Sequence, residues 1–592
     1  MKTAGQRPIS IALASLIAIV PLWLSHSGAV VAQGVPLTAE QSLVSSTGDQ
    51  VVETAGSAIM AAPQGRVKMQ WQSQMPDLTN AQMVEANKAL HKVNLPGPAL
   101  DANAATPLVA LPLAESNAAS VVKEQPLRVM ESVATNNEED QPLAPAAQPI
   151  SPQAPPDALL FRNVAPVTTS GTKSNVLEAS VAQSGKYAFF TGNWFAARSI
   201  TGGSTWSYIS PYADMSDFCC DQVTIHNESR DILFWYRQGL RNSSGVNKFR
   251  LGVSTNGGAS FCNYDINPTG TNSTWTNQWW DYPHLQIGAD YLYIATNMFN
   301  ASDQWTRTVL LRWPLDSLRT CAGFSYNYYS STTWFTFVPV QGADHIMYFA
   351  SDWPSTAPAN SRINIWTWNE NSTTVASTTK TVAAWTTTNR NGVCGSATGN
   401  WVTRADQKLL TGARYMIHGN SLQIPGRKVL GWWWNVRAGG SFAQPYIEGA
   451  AFYEDNLTQL SGVQGRPLIW NSSTCYHFPS AAANRRGDLA LVFNYGTGTN
   501  QNPSVAFAIA DDNVPTPPGF SLSSVRISNA RPSDNNWGDF NTVRPFYPTE
   551  DVWVAGAHYI PNTTNCTGCG SPIFFAFGRE RDFASWNRWQ LN

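Results

Sequence analysis

Charged residues are scarce in this sequence, and the two signs almost cancel. Only 13% of the 592 residues are charged, with 38 basic side chains against 40 acidic ones. Proteins that bind nucleic acid or anionic membranes electrostatically carry an excess of Lys and Arg, which this composition does not provide. We therefore expect no nucleic-acid partner.

Long apolar runs are missing after residue 24. The first run, residues 9–24, follows Lys2 and Arg7 and precedes small residues that end at Ala32. This order is typical of a secretory signal peptide, predicted here as residues 1–32, with a retained signal anchor as the alternative. No later run approaches the roughly 18 apolar residues of a membrane span. After signal cleavage we expect a secreted or cell-envelope protein without a transmembrane segment.

Aromatic residues and cysteines are nearly lacking from residues 33–156, where Trp71 is the one aromatic side chain. This stretch is rich in Ala, Pro, Gln, Val and Ser, a composition that buries too little apolar surface to offset chain entropy. We predict a low-complexity, mostly disordered spacer. Residues 78–93 have helical spacing of apolar side chains and are predicted as a short amphipathic helix within it.

From residue 157 to 592 the composition changes to one dense in tryptophan, Asn, Ser, Thr and Gly. Strand-like segments follow one another with polar turns and no convincing long helix, so this region is predicted to be all-β. Three adjacent tryptophans, residues 432–434, lie inside one such segment and are predicted to pack in the core. Strongly apolar segments occupy residues 187–192, 232–237, 291–296, 345–351, 429–435, 489–495 and 551–557.

These segments recur at a near-regular spacing, each with a following partner strand and most with a short preceding one. Multi-strand units of this length predict the blades of a β-propeller, seven by this count. Six or eight blades and an array of sandwiches are the alternatives. A longer gap before residue 429 predicts an insertion around residues 376–407. Residues 159–163 are expected to add a strand to the last blade and close the ring.

Two polar turns carry a resemblance to a known family. Residues 254–261 read Ser-Thr-Asn-Gly-Gly-Ala-Ser-Phe, and residues 199–206 read Ser-Ile-Thr-Gly-Gly-Ser-Thr-Trp. Both resemble the Asp-box (BNR) hairpin of sialidase-like β-propellers, although Thr201 and Asn256 stand where that family usually has Asp. The resemblance implies a sialidase-like propeller fold, and it implies little about catalysis because the Asp box lies away from that family's catalytic pocket.

The catalytic residues of sialidases are not matched with the same clarity. That family uses three arginines to hold the substrate carboxylate, a Tyr–Glu nucleophile and an acid/base Asp. Of its early Phe/Tyr-Arg-Ile-Pro motif this chain keeps only Phe161 and Arg162. No Glu of the domain has a sequence neighbour that would identify a Tyr–Glu pair. The resemblance therefore supplies Arg162 alone as a candidate.

Candidate ligand-binding residues precede the predicted inner strands, whose flanking loops gather at the channel of a propeller. Trp280 is expected to stack on a sugar, Asp281 to accept hydroxyl hydrogen bonds, and His284 to add a donor. A Trp280 packed between blades is the alternative, and each Asp has the alternative of capping a turn. The full predicted set is Arg162, Asp221, Trp280, Asp281, His284, Asp344, His345, Asp539 and Arg544.

The eight cysteines, an even number in an exported chain, predict disulfides. We expect Cys262 to pair with Cys321 and Cys566-Thr-Gly-Cys569 to be a structural cystine, with a metal or redox pair as the alternative. The adjacent Cys219 and Cys220 are expected to find separate partners.

The predicted function is that of an exported, non-catalytic propeller that binds a glycan or a surface protein. The alternatives are an exo-sialidase-type glycoside hydrolase and a structural scaffold. No cofactor is predicted, although the acidic set would allow a structural cation.

Overall fold

The computed structural model describes residues 41–43, 53–76, 127–129, 158–167, 176–354, 361–385, 394, 400–403, 405, 408–417, 426–512, 520–533, 535–582 and 586. All of them belong to one compact unit, Ala39–Asn592. The predicted signal peptide and the helix predicted at residues 78–93 lie outside the described residues.

Antiparallel meanders of three or four strands repeat along the chain, and in the first six the strands pair in chain order. Meander 1 comprises Ser180–Ser184, Tyr187–Gly192, Phe195–Ser199 and Ser207–Ile209, and meander 2 comprises Phe218–Asn227, Ile232–Gly239, Phe249–Ser254 and Ser260–Ile266. Meander 3 comprises Gln278–Ile287, Tyr291–Asn300, Trp305–Pro314 and Phe324–Ser331, and meander 4 comprises Val338–Gln341, Ile346–Ser351, Arg362–Asn369 and Val375–Thr381. Meander 5 comprises Leu409–Ile417, Arg427–Val436 and Tyr446–Tyr453, and meander 6 comprises Thr474–Ala483, Leu489–Thr497, Ser504–Ala510 and Ser521–Arg526. Meander 7 comprises Thr542–Pro545, Trp553–Tyr559, Ser571–Arg579 and the earlier segment Ala158–Val164.

Four short helical pieces lie within the described residues: Pro268–Thr271, Leu315–Thr320, Gly462–Gly465 and the 3-10 turn Glu580–Asp582. A further two-stranded sheet joins Trp334–Phe335 to Trp353–Pro354. The prediction of an all-β protein is therefore confirmed. None of the helices in this part of the chain has the length and apolar character needed to cross a lipid bilayer.

The second strand of each meander is apolar because both of its faces are covered by neighbouring meanders. Every residue of Ile232–Gly239, for example, is buried. The three tryptophans 432–434 are buried as predicted: Trp432 and Trp434 face meander 4, and Trp433 faces meander 6. This alternation follows from the twofold side-chain period of a strand.

Apolar clusters fill the spaces between successive meanders all the way round. The cluster between the last and the first meander includes Phe190 and Phe574, whose ring centroids are 6.2 Å apart. Ala158–Val164 pairs with Ser571–Arg579, which confirms the strand that we expected at residues 159–163. The first strands of meanders 4 and 5 also pair directly, in parallel. The result is a β-propeller-like ring.

Both polar turns that carried the resemblance are tight turns closed by a serine hydroxyl. Ser199 Oγ accepts hydrogen bonds from the backbone N–H of Thr201 at 3.1 Å and of Gly203 at 2.9 Å. Ser254 Oγ makes the equivalent contacts in the other turn, at 3.3 and 2.9 Å. The glycines that follow have positive φ, a conformation that disfavours a side chain.

Part of the predicted spacer is ordered, which corrects the prediction for residues 53–76. Glu53–Met60 is a fifth strand on meander 3, antiparallel to Phe324–Ser331, and Gln41–Leu43 pairs with it in turn. Arg66–Lys68 extends meander 2, and Leu127–Val129 pairs in parallel with the outer strand of meander 6. These segments cover outer edges of sheets that would otherwise stay unpaired.

The cysteine predictions have mixed outcomes. Cys262–Cys321 and Cys566–Cys569 are disulfides as expected, and Cys394 pairs with Cys475. Cys219 and Cys220 bond to each other, so the prediction of separate partners is wrong. The predicted insertion at residues 376–407 also begins too early, because Val375–Thr381 is the outer strand of meander 4.

Candidate functional site

A pocket of about 620 Å³ lies on the axis of the ring, where the first strands of the meanders converge. Every one of the seven first strands contributes to its wall. One lining residue from each, in chain order, is Ser180, Gln222, His284, Gln341, Thr411, Ser480 and Thr542.

Arg544 is the one arginine among the described residues that line this pocket. Its Nη1 donates to the side-chain oxygens of Gln286, at 3.4 Å, and Gln341. Its Nε is buried and has no hydrogen-bond partner in the described part of the chain. Burial lowers the pKa of Arg544 to about 10, so the guanidinium is charged at neutral pH. A cation with only neutral amide partners remains available to a ligand.

One end of the pocket is bordered by what we call the mouth cluster: Asp281, Tyr282, His284, Lys408 and Phe540. The ring of Phe540 lies 4.6 Å from that of Tyr282 and 5.4 Å from that of His284, measured between centroids. Lys408 Nζ lies 4.0 Å from the centroid of the Tyr282 ring. The cluster sits where first strands begin, and a β-bulge between Asp281 and His284 turns the chain there. Tyr282, at the bulge, has a φ of +59°.

Two titratable groups of the mouth cluster have pKa values shifted from their ordinary ones. Burial lowers the pKa of His284 to about 3, helped by the positive charges of Lys408 and Arg544, so this imidazole is neutral at physiological pH. Burial raises the pKa of Asp281 to about 6, and the charge of Asp539 adds to the effect. The hydrogen bond that Gln238 Nε2 donates to Asp281 Oδ1, at 2.9 Å, opposes that rise.

Five of the nine residues predicted from the sequence are found around this pocket. Asp221, His284 and Arg544 line it, and Asp281 belongs to the mouth cluster. The charge of Asp539 contributes to the raised pKa of Asp281. Their role in binding a ligand stays a prediction.

Trp280 is not at the mouth, so its predicted role as a stacking surface is wrong. Its side chain is 0% exposed, and its ring lies 6.1 Å from that of Phe249 and 6.2 Å from that of Trp275. Asn247 fixes the backbone by accepting from Trp280 N–H and donating to its carbonyl, at 2.8 and 2.9 Å. The indole belongs to the core between meanders 2 and 3.

Three further predicted residues also lie away from the pocket. Asp344 and His345 follow the end of the first strand Val338–Gln341, which is the opposite end from the one where the mouth cluster lies. Arg162 is in Ala158–Val164, the outermost strand of meander 7. The prediction placed Asp344 and His345 at the channel entrance, and the family resemblance added Arg162 to the ligand-binding candidates; the structure places all three elsewhere.

Sequence reasoning missed Lys408 and gave no separate role to Tyr282 or Phe540. Lys408 directly precedes the first strand of meander 5, which was not identified from the sequence. The sequence did indicate the two aromatic residues, because each directly follows an Asp that was predicted to bind a ligand. A bulge lies at Tyr282 and Pro283, where a proline fits because it has no N–H to donate to the neighbouring strand. The bulge reverses which side chains face the mouth.

Comparisons with known proteins give a loose likeness of fold. No family model matches the chain, and no curated protein matches its sequence. Solved structures that resemble it include a protein of unknown function from Dyadobacter fermentans, with a TM-score of 0.35 and 10% identity over 72% of this chain and 99% of that one. The NanB sialidase of Streptococcus pneumoniae aligns with a TM-score of 0.32 and 9% identity over 55% of this chain and 66% of its own. An α-L-arabinanase of Penicillium chrysogenum aligns at 0.24 and 6% identity, over 59% and 90%. Sialidases and glycoside hydrolases are thus among the structural neighbours, at scores too low to support any conclusion about activity.

Proposed function

We propose that this protein is an exported, seven-bladed β-propeller that binds a glycan at the mouth of its axial pocket without hydrolysing it. The observation that carries the proposal is the position of the mouth cluster. Its partly exposed aromatic rings, with charged groups beside them, border a pocket walled by all seven first strands. The signal peptide of residues 1–32 and the two Asp-box-like turns are part of this proposal.

The rings of Phe540 and Tyr282 offer the apolar surface that a sugar ring needs. Both are partly exposed, and Lys408 lies against the ring of Tyr282. Aromatic side chains combine a large contact area with few rotatable bonds, so little conformational entropy is lost on binding.

The pocket below the rings provides hydrogen-bonding groups of both kinds. Arg544 and the neutral His284 present nitrogens, and Asp221 presents a carboxylate. Nε2 of His284 is buried and has no hydrogen-bond partner among the described residues. Groups of this kind, placed beside an apolar wall, are what fixes the orientation of a polyhydroxylated ligand.

The absence of hydrolysis is proposed from the composition of the wall. Its described lining residues include one arginine and no tyrosine, whereas the sialidase mechanism needs three arginines and a Tyr–Glu pair. A surface protein as ligand and a scaffold without a ligand remain the competing functions.

A glycan array probed with the labelled full chain tests this function. We expect binding to a defined class of glycans, weakened at least tenfold by Phe540→Ala. Tyr187→Ala is the matched control, because Tyr187 is an exposed ring next to the far end of the first strand of meander 1. This variant should bind as the wild type does.

An array without hits, or equal binding by both variants, would overturn the proposed site. Turnover of a fluorogenic sialoside by the wild-type chain would overturn the non-catalytic part and establish the hydrolase alternative. Binding to a cell surface that survives removal of its glycans would instead point to a protein partner.

A further inference from the structure

Three side chains of metal-binding type meet at the face of the ring where first strands end. Asp290 lies in the turn after Gln278–Ile287, His345 directly precedes Ile346–Ser351, and Glu370 directly follows Arg362–Asn369. One ligand atom from each lies within 4.8 Å of the other two. The mouth cluster is at the other end of these strands, so this group is independent of the proposed glycan site.

The distances from His345 to the two carboxylates are too long for direct hydrogen bonds and leave room for a shared ion. His345 Nδ1 lies 3.5 Å from Glu370 Oε2 and 4.0 Å from Asp290 Oδ2. Both distances exceed the ordinary range of an N–H···O hydrogen bond, about 2.7–3.2 Å. Ligands of a tetrahedral Zn²⁺, bound at about 2.0–2.1 Å, lie roughly 3.3 Å apart. A small movement of the exposed His345 and Asp290 side chains would bring all three onto one ion.

The main chain holds these residues together. Asp290 N–H donates to both carboxylate oxygens of Glu370, at 3.1 and 3.3 Å, and Glu370 N–H donates to the carbonyl of His345 at 2.9 Å. Gly288 makes room for the Glu370 carboxylate, because a Cβ at this glycine would lie 2.3 Å from Glu370 Oε1. The cluster is therefore built into the contact between meanders 3 and 4.

The charge around Glu370 is poorly compensated. Its side chain is 2% exposed, and among the described residues no Lys or Arg forms an ion pair with its carboxylate. Arg230 neutralises part of the neighbouring charge by donating to Oδ1 of Asp290 at 2.8 Å, which leaves Oδ2 on the side of His345. A buried carboxylate with no Lys or Arg beside it is costly, and a bound cation reduces that cost.

We propose that Asp290, His345 and Glu370 bind one divalent transition-metal ion, Zn²⁺ before others, which fastens meander 3 to meander 4. One imidazole nitrogen and two carboxylate oxygens suit Zn²⁺, whereas Ca²⁺ and Mg²⁺ prefer oxygen ligands alone. His345 is 61% and Asp290 56% exposed, so water completes the coordination from the solvent side.

Calorimetric titration of the EDTA-treated full chain with ZnCl₂ tests this site. We expect one Zn²⁺ per chain, with the affinity reduced on the order of 100-fold by His345→Ala and by Asp290→Asn. Both changes are at exposed side chains, so folding should be retained. Asp316→Asn is the matched control, because Asp316 also pairs with Arg230, at 2.6 Å, but lies outside the cluster. Its affinity for Zn²⁺ should equal that of the wild type.

A second readout separates a built site from surface binding. Zn²⁺ should raise the melting temperature of the wild type and of Asp316→Asn, and leave that of His345→Ala unchanged. Absence of stoichiometric binding, or equal affinity in the wild type and His345→Ala, would overturn the proposal.

Discussion

Replacing Trp280 by alanine separates its position in the core from the role that the sequence predicted for it at the mouth. The indole is fully buried between meanders 2 and 3, in contact with Phe249 and Trp275. Removing a large aromatic side chain from such a site costs about 3–5 kcal/mol, as lost transfer free energy plus the cavity left behind. The free energy of unfolding of a domain is typically only 5–15 kcal/mol, so the loss is a large fraction of it.

The assay is urea unfolding followed by far-ultraviolet circular dichroism, with the disulfides intact. Tryptophan fluorescence is less suitable because the chain has 24 tryptophans and the signal of one site is diluted. Trp280→Phe is the control, since it keeps a ring in the same space and should lose distinctly less stability than the alanine variant. Phe540→Ala should leave the unfolding midpoint close to that of the wild type, because its ring is partly exposed.

The reasoning would be refuted by the opposite pattern. A Trp280→Ala variant that loses less than about 1 kcal/mol would show that the indole fills no core space. If the same variant also lost glycan binding, the stacking role predicted from the sequence would be restored.

The remaining predictions concern pH, a disulfide and the N-terminal strands. Burial lowers the pKa of His284 and of His477 to about 3, against about 6.5 in the unfolded chain, so protonation favours unfolding and stability falls as the pH drops from about 6.5 towards 3. Unfolding by urea at pH 7 and pH 5 should show a smaller difference for His477→Gln than for the wild type, and an equal difference would contradict the burial of His477. Replacing Cys262 and Cys321 together by alanine opens a bridge over 59 positions and should cost about 4 kcal/mol, measured against the reversible unfolding of the parent; a loss below 1 kcal/mol would show that the bridge does not constrain the unfolded chain. Limited proteolysis followed by mass spectrometry should leave Glu53–Met60 in the resistant core, and a core that starts near residue 157 would contradict its pairing with meander 3.

The second strands of the meanders were predictable because their physical signature is simple. A strand covered on both faces must be apolar at nearly every position, as in Ile232–Gly239 and Leu489–Thr497. The pattern therefore located these strands and their spacing, and with them the order of the units. It located the first strands less well, since these mix polar side chains facing the pocket with apolar ones. Leu409–Ile417 was missed for this reason.

The site was predicted in its region and not in its details. A prediction that assumes regular alternation of side chains through residues 280–284 fails, because the strand Gln278–Ile287 contains a bulge. The bulge determines which of these residues face the mouth. It leaves Trp280 in the core and brings Tyr282 to Phe540. Pro283 was the available signal, because proline within a strand is found at bulges and edges. Lys408 had no local signal in the sequence, since only the arrangement of the meanders in the propeller-like ring brings it to Tyr282.

The ordered part of residues 33–156 shows what composition measures. A segment poor in aromatic and large aliphatic residues cannot bury enough surface to fold alone, and on that ground the spacer was predicted to be mostly disordered. Glu53–Met60 needs no core of its own, because Phe324–Ser331 offers an edge with unpaired backbone groups. Small residues then become an advantage: a Cβ at Gly56 would lie 2.3 Å from the Tyr328 hydroxyl, so a larger residue would displace that ring. Composition therefore predicts whether a segment folds by itself, whereas its pairing depends on the edge strand that the rest of the chain provides.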